Sequence, residues 1–220
     1  MTADLTALAQ RALALAPEGG GRALLGIAGS PGSGKTTLAR SVADRVNELG
    51  GAGAAVHLPM DGFHLANATL DALGRHDRKG AIDTFDGWGF VALLQRVLVE
   101  TANVVYAPAF ERTVDEPVAG SIPVPPKTRL VVVEGNYVLV DQDPWSRIPP
   151  LLAESWFVAT PEDERMRRLV DRHTRHGRTV KAATAWARDV DGANALVIEA
   201  SRPRATLVVD GTAGLPAGSA

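Results

Sequence analysis

The chain contains no cysteine, which excludes disulfides, thiolate metal sites and a cysteine nucleophile. It holds no run of about 18 apolar residues, the length a membrane-crossing helix requires. The N-terminus lacks the basic flank and compact apolar stretch of a secretory signal, so the expectation is a cytoplasmic protein with no membrane partner. Neither sign of charge dominates. Lys and Arg total 23 against 25 Asp and Glu, a formal net of −2, so no global basic field points to nucleic acid. What remains, 220 residues that are 45% apolar and 22% charged, suits one α/β domain with a substantial core.

One stretch organises the chain. Gly29, Ser30, Pro31, Gly32, Ser33, Gly34, Lys35 and Thr36 fit G-x-x-x-x-G-K-[ST] without a mismatch. The apolar run 23–28 before it reads as a buried parallel strand. After it, Leu38, Val42, Val46 and Leu49 line one side of a helix. Backbone N–H groups in a tight glycine turn can approach a phosphate chain where side chains would block them, and the helix N-terminus adds partial positive charge. In this design Lys35 reaches the β- and γ-phosphates, the Thr36 hydroxyl takes a position on Mg²⁺, and Thr37 continues the cradle. The motif predicts a nucleoside-triphosphate site and leaves the phosphate's destination open.

In chain order, residues 4–16 read as a packing helix, ended by Pro17 and the glycines 19–21. A second strand, 54–59, runs into Met60, Asp61, Gly62, Phe63 and His64. An acid at the carboxyl end of a parallel strand faces the crevice where α/β proteins bind ligands, so Asp61 is a candidate to take a proton from an acceptor hydroxyl. A helix N-cap is the plainer alternative. His64 is a candidate for the same pocket. The polar segment 65–87 carries the basic cluster 75–79 and then Asp86, which either caps the helix starting near Gly87 or faces the substrate. Residues 104–110 predict a short strand, and the prolines at 117, 123, 125 and 126 make 111–128 a loop or edge hairpin opened by Arg112.

The run 129–133 predicts a central strand ending in Glu134, where an acid can orient Mg²⁺ or its water ligands; Tyr137 follows in the same crevice. A strand at 155–159 precedes a helix with six arginines between 165 and 178. Arg165, Arg168 and Arg172 share one face, as a lid closing over a triphosphate would require. A last helix carries Ala183, Trp186, Ala187 and Val190, with Asp191 to Asn194 following it. Residues 205–209 close the sheet, and the Gly/Ala-rich tail from 211 is expected to fray.

Taken together, GSPGSGKT at 29–36, PMDGFH at 59–64, RKGAIDTFD at 78–86, VVVEGNY at 131–137 and the arginine helix resemble the phosphoribulokinase/uridine kinase family of P-loop kinases, which includes bacterial pantothenate kinases of that fold. The resemblance implies an α/β P-loop NTPase fold, with a five-stranded parallel sheet flanked by helices and an arginine-bearing lid. It divides the chain into an N-terminal helix and Gly-rich linker (1–21), a kinase domain (22–210) and a tail (211–220). It also implies ATP, Mg²⁺ and γ-phosphoryl transfer to a small-molecule hydroxyl on a nucleoside, pantothenate-like compound or sugar. In the same terms Asp61 would act on the acceptor and Lys79 and Asp86 would lie on the substrate side. Glu134 would sit near Mg²⁺, and Arg165 and Arg168 would be lid arginines. The chain departs from the uridine kinases at Gly62 and His64, where their motif is of the Asp-Asp-Phe-Tyr type, so the acceptor is left open. A homodimer is compatible with this reading. The rival is a regulatory NTPase switch acting on a protein partner. It would require a guanine-reading N-K-x-D, which is missing, and a D-x-x-G after a central strand, whereas Asp86 to Gly89 opens a helix.

Overall fold

A computed structural model describes residues 4–212. The first helix, α1 (Leu5–Leu13), is capped by Asp4, whose carboxylate accepts the Thr6 amide at 3.0 Å. Its buried face, Leu8, Ala9 and Ala12, lies against the helix that follows the phosphate loop, α2 (Lys35–Gly50). Between them runs β1 (Ala23–Ala28), buried at every residue, as a continuous apolar run covered on both faces requires.

Next come β2 (Ala55–Pro59), the short α3 (Asn67–Ala72) and α4 (Gly87–Val99). The strands β3 (Val105–Glu111) and β4 (Glu116–Val124) pair antiparallel in a sheet of their own. The proline-rich segment is thus a separate hairpin and not an edge of the main sheet. Its prolines, Pro108, Pro117 and Pro123, lie where no central ladder needs their missing N–H. The chain then supplies β5 (Leu130–Glu134) and β6 (Glu154–Ala159). After these come α5 (Glu162–Arg175), α6 (Val180–Trp186), α7 (Gly192–Glu199) and β7 (Leu207–Asp210).

The main sheet has the order β2-β5-β1-β6-β7 with every pairing parallel, as the expected five-stranded architecture demands. Alternate residues of its strands feed two cores. One holds Leu25, Ile27, Val132 and Trp156 against α1 and α2; the other holds Leu24, Val131, Val133 and Phe157 against α4 and the hairpin. Register sets Ile27 and Pro59 level with Glu134, so the phosphate loop, Asp61 and Glu134 emerge together at the carboxyl edge of the sheet.

The last helix does not end at Asp191. A π-helical turn over Ala187–Asp191 links α6 directly to α7, and the extra residue in that turn shifts the helix phase without breaking it. No described helix is long and apolar enough to cross a membrane. The tail expected to fray falls, from residue 213 onward, outside the described residues.

Candidate active site

At the carboxyl edge of the sheet, the loop between β1 and α2 turns tightly enough to need left-handed backbone at Gly32 (φ 78°) and Gly34 (φ 94°). Gly34 is also the N-cap of α2 and supplies no side-chain cap. The first-turn amides of α2, including those of Lys35, Thr36 and Thr37, have no intrahelical acceptor and remain free for an anion. Within the loop Ser33 Oγ is buried and, among the described residues, has no hydrogen-bond partner. Ser30 Oγ donates to Glu199 Oε1 at 2.6 Å, which fastens the loop to the end of α7.

Beside the loop lies a cavity of about 510 Å³. Pro31, Lys35, Thr36, Asp61, His64, Lys79 and Arg112, all singled out from the sequence, line it. Desolvation pushes the Lys35 ammonium below its ordinary pKa, against the pull of Glu134 and Asp61. Thr36 Oγ1 donates to Glu134 Oε1 at 3.1 Å. Burial opposes the Glu134 charge, but His57, Lys35 and Thr36 outweigh it and hold the carboxyl below the usual range. His57, on β2, places Nε2 3.6 Å from Glu134 Oε1, within ion-pair range and beyond a hydrogen bond. Among the described residues no three acidic or imidazole side chains cluster as a metal site. A divalent ion here would rely on Thr36 and Glu134 together with phosphate oxygens and water, as Mg²⁺ does at nucleotides. The free helix amides, the Thr36–Glu134 pair and the orphaned Asn136 Oδ1 on the cavity wall fit a Mg-nucleotide.

Asp61 sits in the single turn Met60–Phe63 that ends β2. Among the described residues its carboxylate has neither a hydrogen-bond nor an ion-pair partner, although it is close enough to Lys35 to raise that group's pKa. His64 Nδ1 lies 2.9 Å from the Asp61 carbonyl oxygen, and its ring packs on Phe85 and Phe110 at centroid distances of 4.0 and 4.9 Å. Desolvation there lowers the His64 pKa, against the pull of Asp61.

The glycine between Asp61 and Phe63 has a steric reason. A Cβ on Gly62 would lie 2.2 Å from the Pro108 carbonyl oxygen, so the hairpin can seat on the Asp61 turn only over a bare backbone. Gly62→Ala is expected to cost about 1–3 kcal/mol through this overpacking. The check is the urea midpoint, and a midpoint equal to wild type would mean the hairpin is not seated this way.

Five of the residues singled out from the sequence have partners within the protein. Asp86 is exposed and caps α4, accepting the Gly89 amide at 2.8 Å, and it does not line the cavity. Tyr137 is fully buried; its hydroxyl donates to the Gly80 carbonyl at 2.7 Å, and it packs against Phe85 and Trp145. Lys79 reaches the cavity, but its ammonium is engaged by Asn67 Oδ1 at 2.7 Å and Asp115 Oδ2 at 2.8 Å, which pins the hairpin turn. Arg165 is buried and donates to the Thr160 carbonyl at 3.3 Å. Arg168 is held by Glu164 at 2.7 Å and reaches the Gly32 and Ser33 carbonyls at 3.4 Å, behind the phosphate loop.

The arginine that enters the cavity from α5 is Arg172, farther along the same helical face, and Arg178 joins it from the following turn. Asp191 and Asn194 complete this wall; Asp191 Oδ2 pairs with His173 Nε2 at 2.9 Å, and Asn194 donates to the Gly80 carbonyl at 3.2 Å. Arginine spacing on α5 made Arg172 visible in the sequence. His57, Asp191 and Asn194 left no such signal, because strand pairing and the π-turn bring them in.

No protein-family model matches the chain. Among known proteins it is similar to a Schizosaccharomyces pombe protein provisionally named a uridine kinase, 40% identical over 129 residues, which are 57% of this chain and 55% of that one. The match therefore spans about half of that relative's length. It is also similar to the ATP-dependent kinase-like protein notR′ of Aspergillus versicolor, 37% identical over 133 residues, or 57% of this chain and 77% of the relative. A solved structure from Silicibacter sp. TM1040, provisionally described as a fructose transport system kinase, is 38% identical with a TM-score of 0.85. That match covers 93% of this chain and 98% of the other. The fold, the phosphate loop and these likenesses agree, and the chain belongs to the phosphoribulokinase/uridine kinase family of P-loop kinases.

Proposed function

We propose that the chain is an ATP-dependent kinase that transfers the γ-phosphoryl group to a hydroxyl of a small molecule. The observation that carries this reading is the unpaired Asp61 carboxylate, which faces a cavity shared with Lys35 and the free amides of α2. A carboxylate left without a partner at such a place costs free energy unless a ligand group meets it. The kinase-like names of the relatives support the same reading.

In this mechanism the loop amides and Lys35 hold the β- and γ-phosphates, and Thr36 and Glu134 hold or orient Mg²⁺. When bound, Mg²⁺ neutralises charge on the phosphate oxygens. Asp61 accepts the proton of the acceptor hydroxyl. The new bond forms between that oxygen and the γ-phosphorus, and the bond from the γ-phosphorus to the bridging oxygen breaks, releasing ADP. Arg172 offsets charge on the transferred group. Such transition states need positioning and charge compensation more than covalent chemistry, and these side chains supply both.

The test is ADP release from Mg-ATP against nucleosides, pantothenate, sugars and sugar phosphates. A rate stimulated by one hydroxyl acceptor, with that compound recovered as its phosphate ester, is the expected result. Release stimulated only by a protein or a nucleic acid would overturn it.

A further inference from the structure

The Glu134 carboxylate is fastened at one oxygen by one hydrogen bond, which Thr36 Oγ1 donates to Oε1 at 3.1 Å. Threonine has a single hydroxyl proton, and in the kinase reading the same oxygen also meets Mg²⁺. A carboxylate held this way can still turn about its last torsion, whose preference is broad. An acid that must present one oxygen steadily to a metal site needs a second hold.

The neighbouring strand β2 supplies one. Side chains alternate along a strand, so His57 shares a face with Ala55, and Glu134 shares one with Leu130 and Val132. Ala55, Leu130 and Val132 all enter the core beneath α2, which puts His57 and Glu134 on the same side of the sheet. In the parallel register His57 is level with Val132 and Pro59 with Glu134, so the imidazole lies one strand over and one pleat back from the carboxylate. Nε2 stands 3.6 Å from Oε1, with the His57 side chain 14% exposed and that of Glu134 3%. Nε2 itself is buried and, among the described residues, has no hydrogen-bond partner. A closure of about 0.5 Å makes a hydrogen bond of ordinary length, and Oε1 has lone pairs for two donors.

We propose that His57 is a positioning residue for Glu134. Its Nε2–H donates to Oε1 beside the Thr36 hydroxyl when a Mg-nucleotide binds, and so fixes the carboxylate with Oε2 left for the ion or its water. His57 does not line the cavity, so it acts through Glu134 and not on the ligand. This rests on the kinase reading above in so far as a Mg-nucleotide fills the phosphate loop.

Calorimetry of AMP-PNP binding with Mg²⁺ and with EDTA tests it, because the ratio of the two affinities is the tightening that the metal confers. His57→Leu fills the space without a donor. His57→Gln carries an N–H at the reach of Nε2, and the shorter His57→Asn carries one only at the reach of Nδ1. The ratio should fall by about 10-fold in His57→Leu and His57→Asn, the low end of what losing such a partner costs a metal site, and stay near wild type in His57→Gln. Affinity in EDTA should be the same throughout. If His57→Leu does not fold, the contrast between His57→Gln and His57→Asn carries the test alone. A ratio unchanged in every variant overturns the inference. An equal fall in every variant also overturns it and makes His57 a packing residue. Long-range ¹H–¹⁵N spectra of the Mg-AMP-PNP complex should show the His57 ring proton on Nε2, and a bare Nε2 overturns the inference. Wild-type protein that binds AMP-PNP equally well with and without Mg²⁺ overturns the inference alone. Wild-type protein that does not bind AMP-PNP overturns the kinase reading and the inference with it.

Discussion

Asp61→Asn is expected to lower kcat for phosphoryl transfer by about 10²- to 10⁴-fold, the contribution of a positioned general base. Asparagine keeps the size of the side chain and its Oδ1 can still accept a hydrogen bond, but it cannot take the acceptor's proton at neutral pH. The turn Met60–Phe63 should survive the change, because its geometry rests on the buried Met60 and on the close approach of Gly62 to Pro108, not on the carboxylate. Mg-ATP affinity, measured by calorimetry, should therefore remain measurable while turnover collapses. A variant with wild-type kcat would remove Asp61 from the mechanism, and one that has lost nucleotide binding as well would make the residue a structural one.

Arg172→Gln should cost about 10³-fold in kcat, the low end of what an arginine beside a transferring phosphoryl group supplies. The reason is position: Arg172 lines the cavity within range of Lys35, and among the described residues its guanidinium has no partner. An interaction made only in the transition state lowers kcat and kcat/KM together, and single-turnover kinetics reads that pattern directly. A rise in KM with kcat intact would instead make Arg172 a ground-state binding residue. Arg168→Gln should differ in kind. That side chain steadies the Gly32 and Ser33 carbonyls from behind the loop, so its loss should appear as weaker nucleotide affinity.

The two arginines show where linear reasoning stops. Arg165, Arg168 and Arg172 share a helical face, and periodicity cannot rank residues along that face. Arg165 and Arg172 are seven residues apart in the chain, about 10 Å along the helix axis. That distance separates a side chain buried against Thr160 from one that reaches the cavity. Asp86 and Tyr137 illustrate a second limit. Each stands in the motif series of the family, but Asp86 is satisfied by the amide three residues ahead and Tyr137 by a carbonyl far away in sequence. A side chain that already has a partner has less to offer a substrate, and only the fold shows which partners are within reach.

The sequence alone determined the features whose causes are local. The phosphate loop needs glycine at left-handed backbone and a lysine and threonine at the start of a helix, so its chemistry is written in eight consecutive residues. The parallel sheet was equally readable, because strands buried on both faces must be continuous apolar runs. Asp61 and Glu134 followed from their places at strand ends. Tertiary structure decided whatever depends on elements distant in sequence. It seated the hairpin over Gly62, tied Lys79 to Asp115, turned Asp191 inward at a π-turn and brought Arg112, Arg172 and Arg178 to the wall of one cavity. Residue type and spacing state what a side chain can do; the packing of separate elements decides which of those capacities remain free for a ligand.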